Sequence, residues 1–145
     1  MLGRFGVDFV SVPQSDGSWH HTAIEINLRK GGTTHTFQTL QYLTNGHYDA
    51  TAGEFRVPSG EPRTYYATDN LHKAAYRRLT PEDLIDIAVE RELHFDQRLL
   101  EGVTFNLIGA LSEFGKLGIV SIAATLARAR ELYGLTVAVL DRESG

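Results

Sequence analysis

Apolar and polar residues alternate without a break over Ala23–Arg29, where Ile24, Ile26 and Leu28 interleave with Glu25, Asn27 and Arg29. Strand side chains alternate between faces, so this period predicts a strand with a carboxylate, an amide and a guanidinium in one row. At roughly 3.3 Å of rise per residue, neighbouring polar heads stand about 6 to 7 Å apart. Upstream, Phe5–Val12 reads as a second strand, with Gly6 and Asp8 on one face and Val7, Phe9 and Ser11 on the other. Pro13–Ser18 between them is turn chemistry: proline cannot continue a ladder, and Asp16-Gly17 favours reversal. Together these segments predict a hairpin over residues 4–29, which brings Asp8 opposite the stretch His21 to Glu25. The face of Asp8 then coincides with that of Glu25 and Asn27.

Downstream the period changes. Thr34–Thr44 places Phe37, Leu40 and Leu43 at helical spacing and ends at Asn45-Gly46. Residues 45–62 read as loop, with Glu54–Val57 a short strand, and Arg63–Thr68 as a further strand. Leu71–Arg78 reads as a short helix capped by Asp69-Asn70. Thr80-Pro81-Glu82-Asp83 is a helix start, with a hydroxyl cap, proline at the first position and acids at the positive end of the dipole. That helix runs to about His94, with Leu84, Ile85, Ala88, Val89 and Leu93 inward. Val103–Leu111 and Leu117–Ile122 read as two strands. From Ala123 steps of three and four return, which predicts one helix to about Arg142 across Gly134; a break with Leu135–Leu140 as a strand is the competing reading. The sum is an α+β fold, a largely antiparallel sheet packed with helices, in a single domain spanning 1–145.

Composition narrows the classes. Hydrophobic residues make up 42% of the chain, enough for a packed core. A net charge of −4, with the basic residues scattered, argues against a nucleic-acid footprint. There is no cysteine, which excludes a disulfide framework and a thiolate nucleophile and fits a cytoplasmic protein. No apolar run approaches membrane-spanning length, and Arg4 and Asp8 interrupt any apolar leader.

The candidate chemistry is concentrated in the hairpin. The oxygens of Asp8, Glu25 and Asn27 are those a hard cation such as Mg²⁺ takes, and Arg29 suits a phosphate. A half-solvated antiparallel strand would show the same alternation. Two features favour a site. Asn27 is a poor strand former, so propensity alone does not place it there. The strand also leads into Lys30-Gly31-Gly32-Thr33-Thr34-His35, a basic, glycine-rich approach to a helix N-terminus that suits an anion. Elsewhere His20 and His21 face opposite sides of a strand and cannot chelate one ion, and no Ser–His pair is spaced as a nucleophilic triad.

GVDF, a hairpin and then EINLRKGGTTH resembles the metal-binding end of the ATP-grasp ligases. The resemblance implies that Asp8, Glu25 and Asn27 hold Mg²⁺ or Mn²⁺ bridging ATP phosphates. It gives Arg29 a catalytic role at phosphate or an acyl phosphate, and makes Gly31, Gly32, Thr33 and Thr34 donors to the bound nucleotide or intermediate. The later stretches YYATDNL, FNLIGALSEFGKLGIVSI and ELY…VAVLD are similar to the C-terminal region of pheganomycin-type peptide ligases. The implied activity is ATP-dependent joining of a carboxylate to an amine, and the implied fold is the C-terminal half of an ATP-grasp domain.

The resemblance also implies an absent N-terminal lobe with its lid lysines, since Lys30, Lys73 and Lys116 are the only lysines and none lies in such a context. The chain is therefore expected to be the back half of a ligase, inactive alone, with that lobe or another chain as its partner. Val7 and Phe9 are expected to be covered, and the polar face open, so that copies self-associate as a two-fold dimer. The other reading is a non-catalytic binding or dimerisation module that retains the hairpin.

Overall fold

A computed structural model describes residues 5–145; Arg4, the first residue of the expected hairpin, lies outside them. The chain divides into two compact units, one ending at Phe37 and one spanning Gln38–Gly145.

The first unit is the expected hairpin. Strands β1 (Gly6–Pro13) and β2 (Trp19–Asn27) pair antiparallel. Gly17, at φ 83°, closes the turn by donating its N–H to the Gln14 carbonyl at 3.1 Å. Gln14 then donates to the Ser18 carbonyl at 2.9 Å, and Asp16 accepts from the Ser18 N–H at 2.9 Å. A bulge falls midway: Phe9 pairs with Ala23 and Asp8 with Glu25, which leaves Ile24 as the extra residue. Helix α1 (Gly32–Thr44) follows, and the boundary between the units falls within it.

The hairpin's aliphatic residues are not covered as expected. Phe9 is 58% exposed and Ile26 62% exposed, and only Val7 is half-buried. Cross-strand pairing brings Val7 and Ile26 together, and two strands alone do not enclose what they pair.

The second unit is built on a three-stranded antiparallel sheet in the order β5 (Thr64–His72), β7 (Lys116–Ala123), β6 (Gly102–Asn106). A small hairpin of β3 (His47–Asp49) and β4 (Glu54–Arg56) precedes it. β7 reads as a continuous apolar run because it is central and buried on both faces. Its Leu117, Ile119 and Ala123 pack with Val103 of β6 against Ala129, Leu132 and Leu140 of α4 (Leu126–Glu143). Tyr76, Leu79, Leu84 and Leu111 close the same core.

The cap read from the sequence at Thr80 is in place. In α2 (Pro81–Glu90), Thr80 Oγ1 accepts from the Asp83 N–H, and the Asp83 carboxylate accepts from the Thr80 N–H at 2.7 Å. Thr125 caps α4, which continues through Gly134 as one helix to Glu143.

Other expectations are corrected. β5 runs on to His72, so Asp69 and Asn70 lie within a strand and cap nothing; Leu71 stays in the ladder opposite Leu117 and packs into the core. The expected helix over 71–78 shrinks to a 3-10 turn at Ala74–Arg78. The strand expected over 103–111 stops at Asn106. Leu107 takes a left-handed backbone, φ 55°, and the chain turns through Ile108–Ala110 into α3 (Leu111–Phe114), which buries Leu111 completely. In α2, Leu84 and Ala88 face inward, but Ile85 and Val89 are 59% and 53% exposed.

Candidate functional site

The Asp8–Glu25 pair anchors the site. Without the bulge the ladder from the turn would set Ile24 opposite Asp8; the extra residue sets Glu25 there instead. The next pair of the same face is Gly6–Asn27, and Asn27 Nδ2 donates to Asp8 Oδ2 at 3.0 Å. Two carboxylates and one carboxamide thus share one end of one face. Asp8 and Glu25 are exposed and Asn27 half-buried.

On the turn side of the bulge the ladder keeps the register set by the turn. There Ser11 and His21 are direct partners, with Ser11 Oγ 2.7 Å from His21 Nδ1. Simple alternation along β2 would have put His21 with Glu25, so this pair was not legible from spacing. Both His20 and His21 are exposed.

Arg29 does not extend the row as a strand residue. The ladder ends at Gly6–Asn27, and Leu28 and Arg29 follow in a bend, with Arg29 exposed. Gly31 then precedes the first turn of α1. Its N–H donates to Thr34 Oγ1 at 3.0 Å, and the Thr34 N–H donates back to the Gly31 carbonyl at 2.9 Å. Thr36 Oγ1 donates to the Thr33 carbonyl at 2.9 Å. Thr34 is therefore engaged in shaping the turn. The first turn contains no acidic residue, and Arg29 and Lys30 precede it, so the local field favours an anion.

The donor set suits a hard divalent ion. One carboxylate oxygen of Asp8, the Glu25 carboxylate and Asn27 Oδ1 remain beyond the Asn27–Asp8 bond, and all are oxygens. No group of three or more His, Cys, Asp or Glu side chains positioned for a metal occurs among the described residues. Two carboxylates with an amide match a Mg²⁺ ion that takes its remaining ligands from phosphate and water, rather than a cage made of protein alone.

Comparison with known proteins bears on the chain as a whole. Residues 83–136 match the PGM1 C-terminal domain family. The chain is 30% identical, over 121 residues and 83% of its own length, to L-propargylglycine--L-glutamate ligase of Streptantibioticus cattleyicolor. It spans 24% of the length of that ligase. Together the two matches cover most of the chain and bear out the resemblance to the C-terminal part of ATP-grasp peptide ligases. No solved structure matches the chain. No helix among the described residues is long and apolar enough to cross a membrane.

Proposed function

We propose that this chain is the C-terminal, metal-binding part of an ATP-dependent carboxylate–amine ligase. The observation that carries the reading is the direct Asp8–Glu25 pairing, with Asn27 bonded to Asp8 on the same face. Similarity to a ligase named for joining two amino acids supports it.

In this reading Asp8, Glu25 and Asn27 would hold Mg²⁺ or Mn²⁺. The ion, when bound, would neutralise phosphoryl charge as the substrate carboxylate is activated. Arg29, free of the ladder, reaches the phosphate or the acyl phosphate. Gly32 and Thr33 offer backbone donors at the N-terminus of α1, and Gly31 and Thr34, bonded to each other, fix the turn that presents them. An amine displaces phosphate to complete the amide. The nucleotide-clamping lobe would come from a further segment or a partner chain, in keeping with the small share of the similar ligase that this chain spans.

The test is a Mn²⁺ titration of the purified chain followed by NMR, with and without ATP. Resonances of Asp8, Glu25 and Asn27 should broaden first, and at lower Mn²⁺ when ATP is present. Broadening centred on His20, His47 or His94 would sink the assignment and favour a non-catalytic docking module.

A further inference from the structure

On the three-stranded sheet, β7 has no side chain at Gly118, and polar residues of both neighbouring strands gather at that gap. Asn106, the last residue of β6, lies directly opposite Gly118. Its carboxamide is folded down over the glycine, so that a Cβ on Gly118 would collide with it. Asn106 Oδ1 and Nδ2 are both shut off from solvent, and neither has a hydrogen-bond partner. Buried polar side-chain atoms are nearly always paired, and each exception asks for an explanation.

The other neighbour adds charge. Thr68 pairs with Ile119 and Leu71 with Leu117, so Asp69 and Asn70 together oppose Gly118 in a bulge. Alternation forward from Ala67 puts Asp69 on the Gly118 face; alternation back from His72 puts Asn70 there too. Leu71 points the other way, into the core under α4. Lys116, two residues before Gly118, shares its face and is half-buried. Asp69 and Lys116 have opposite charges, yet neither forms an ion pair with any described residue. Bulges of this kind re-aim side chains and recur beside binding sites.

We infer that this glycine-floored cluster binds the zwitterionic head of an α-amino acid. Lys116 takes the carboxylate and Asp69 the ammonium. The Asn106 amide, lifted off Gly118, gives Nδ2 to the carboxylate and Oδ1 to the ammonium, which satisfies both of its unpaired atoms. A simple anion would meet Asp69 and a simple cation would meet Lys116; a zwitterion uses both. The choice of an amino acid among zwitterions rests on the ligase reading above, whereas the charge pattern rests on the sheet alone.

The experiment is an NMR titration of the chain with L-glutamate, without metal or nucleotide. The Asn106 side-chain amide and the backbone amides of Asn70 and Gly118 should shift together. N-acetyl-L-glutamate, which lacks the ammonium, and L-isoglutamine, which lacks the α-carboxylate, should each bind about tenfold more weakly or worse. Lys116→Gln and Asp69→Asn, both at accessible positions, should weaken L-glutamate binding by a similar factor and leave the melting temperature unchanged. Absence of shifts at these residues, equal binding of the acetylated or amidated compound, or unaltered binding by both variants would overturn the site. The ligase reading is judged separately, by Mn²⁺ and ATP at Asp8 and Glu25, so either can fail while the other stands.

Discussion

The Tyr76 hydroxyl donates to Asp141 Oδ1 at 2.7 Å, joining the 3-10 turn after β5 to the last turns of α4. Lys73 Nζ donates to both oxygens of the same carboxylate at 2.6 and 2.7 Å. The Lys73 bond, then the Tyr76 bond, holds the Asp141 carboxyl below its ordinary value of 3.8. A carboxylate with a depressed folded pKa stabilises the fold above its unfolded value, and that contribution is lost as pH falls through the folded one. Burial, then donation to Asp141, pushes the Tyr76 phenol above its ordinary 10.0. The sign there is opposite: the contribution is complete below 10.0 and is lost as pH rises through the raised value. Melting curves against pH should therefore show an acid loss below 3.8 that Asp141→Asn reduces, the remainder coming from the other depressed carboxyls at Asp16, Asp49, Asp83 and Asp96. The alkaline loss should be reduced by Tyr76→Phe, at a cost near neutrality of about 1 kcal/mol. Tyr133, which burial also pushes up, accounts for the rest of that loss.

Two glycines should respond to alanine with opposite signs. Gly115 ends α3 at φ 66°, and a Cβ there would collide with the Lys73 carbonyl, whose own N–H bonds back to the Gly115 carbonyl at 3.0 Å. Gly115→Ala should destabilise by more than about 1 kcal/mol. Gly134 lies inside α4 with open space where a Cβ would be. Gly134→Ala should stabilise by about 0.5–1 kcal/mol. Denaturant midpoints of the two variants, read at equal m, decide the matter.

Turnover should be absent from the isolated chain. Positioning supplies much of such catalysis, and in the proposed reading the hairpin would contribute ligands at the phosphates while the nucleotide is clamped by another segment or chain. Phosphate release from ATP should match that of Glu25→Ala. Release clearly above that control would show that the chain carries a complete site.

Self-association is expected from the hairpin. Phe5, Phe9, Trp19, Ile24, Ile26 and Leu28 are all more than half exposed, and an uncovered apolar strand pair seeks a partner. Sedimentation should give a species heavier than 16.1 kDa, and Phe9→Ser with Ile26→Ser should shift it toward the monomer. A wild-type chain that sediments as a monomer would rule this out.

Much of this fold was legible wherever local chemistry decides structure. The turn before Trp19, the Thr80–Asp83 capping box and the period of α4 each declare themselves within a few residues, although Pro13, read as part of the turn, stays in β1 opposite Trp19. What escaped was decided at a distance. Leu71 stays in a strand because Leu117 pairs with it, and Leu107 ends one because Leu111 is wanted in the core. At the hairpin, the row of Asp8, Glu25 and Asn27 was visible from alternation, but the bulge that aligns it was not. At Gly118 nothing local announces Asn106 or Asp69, since only the register of three strands brings them together.

Ile24 makes the two ends of the hairpin independent of each other. Pairing from the turn to Phe9–Ala23 keeps one count, and pairing from Asp8–Glu25 onward keeps another. Ile24 takes up the difference like the slack link of a chain. Loss of that one residue would straighten the strand and still leave Glu25 facing Asp8. A length change of one residue at this point would thus leave the acid pair aligned, and a count of residues from the turn is a poor guide to which side chains meet.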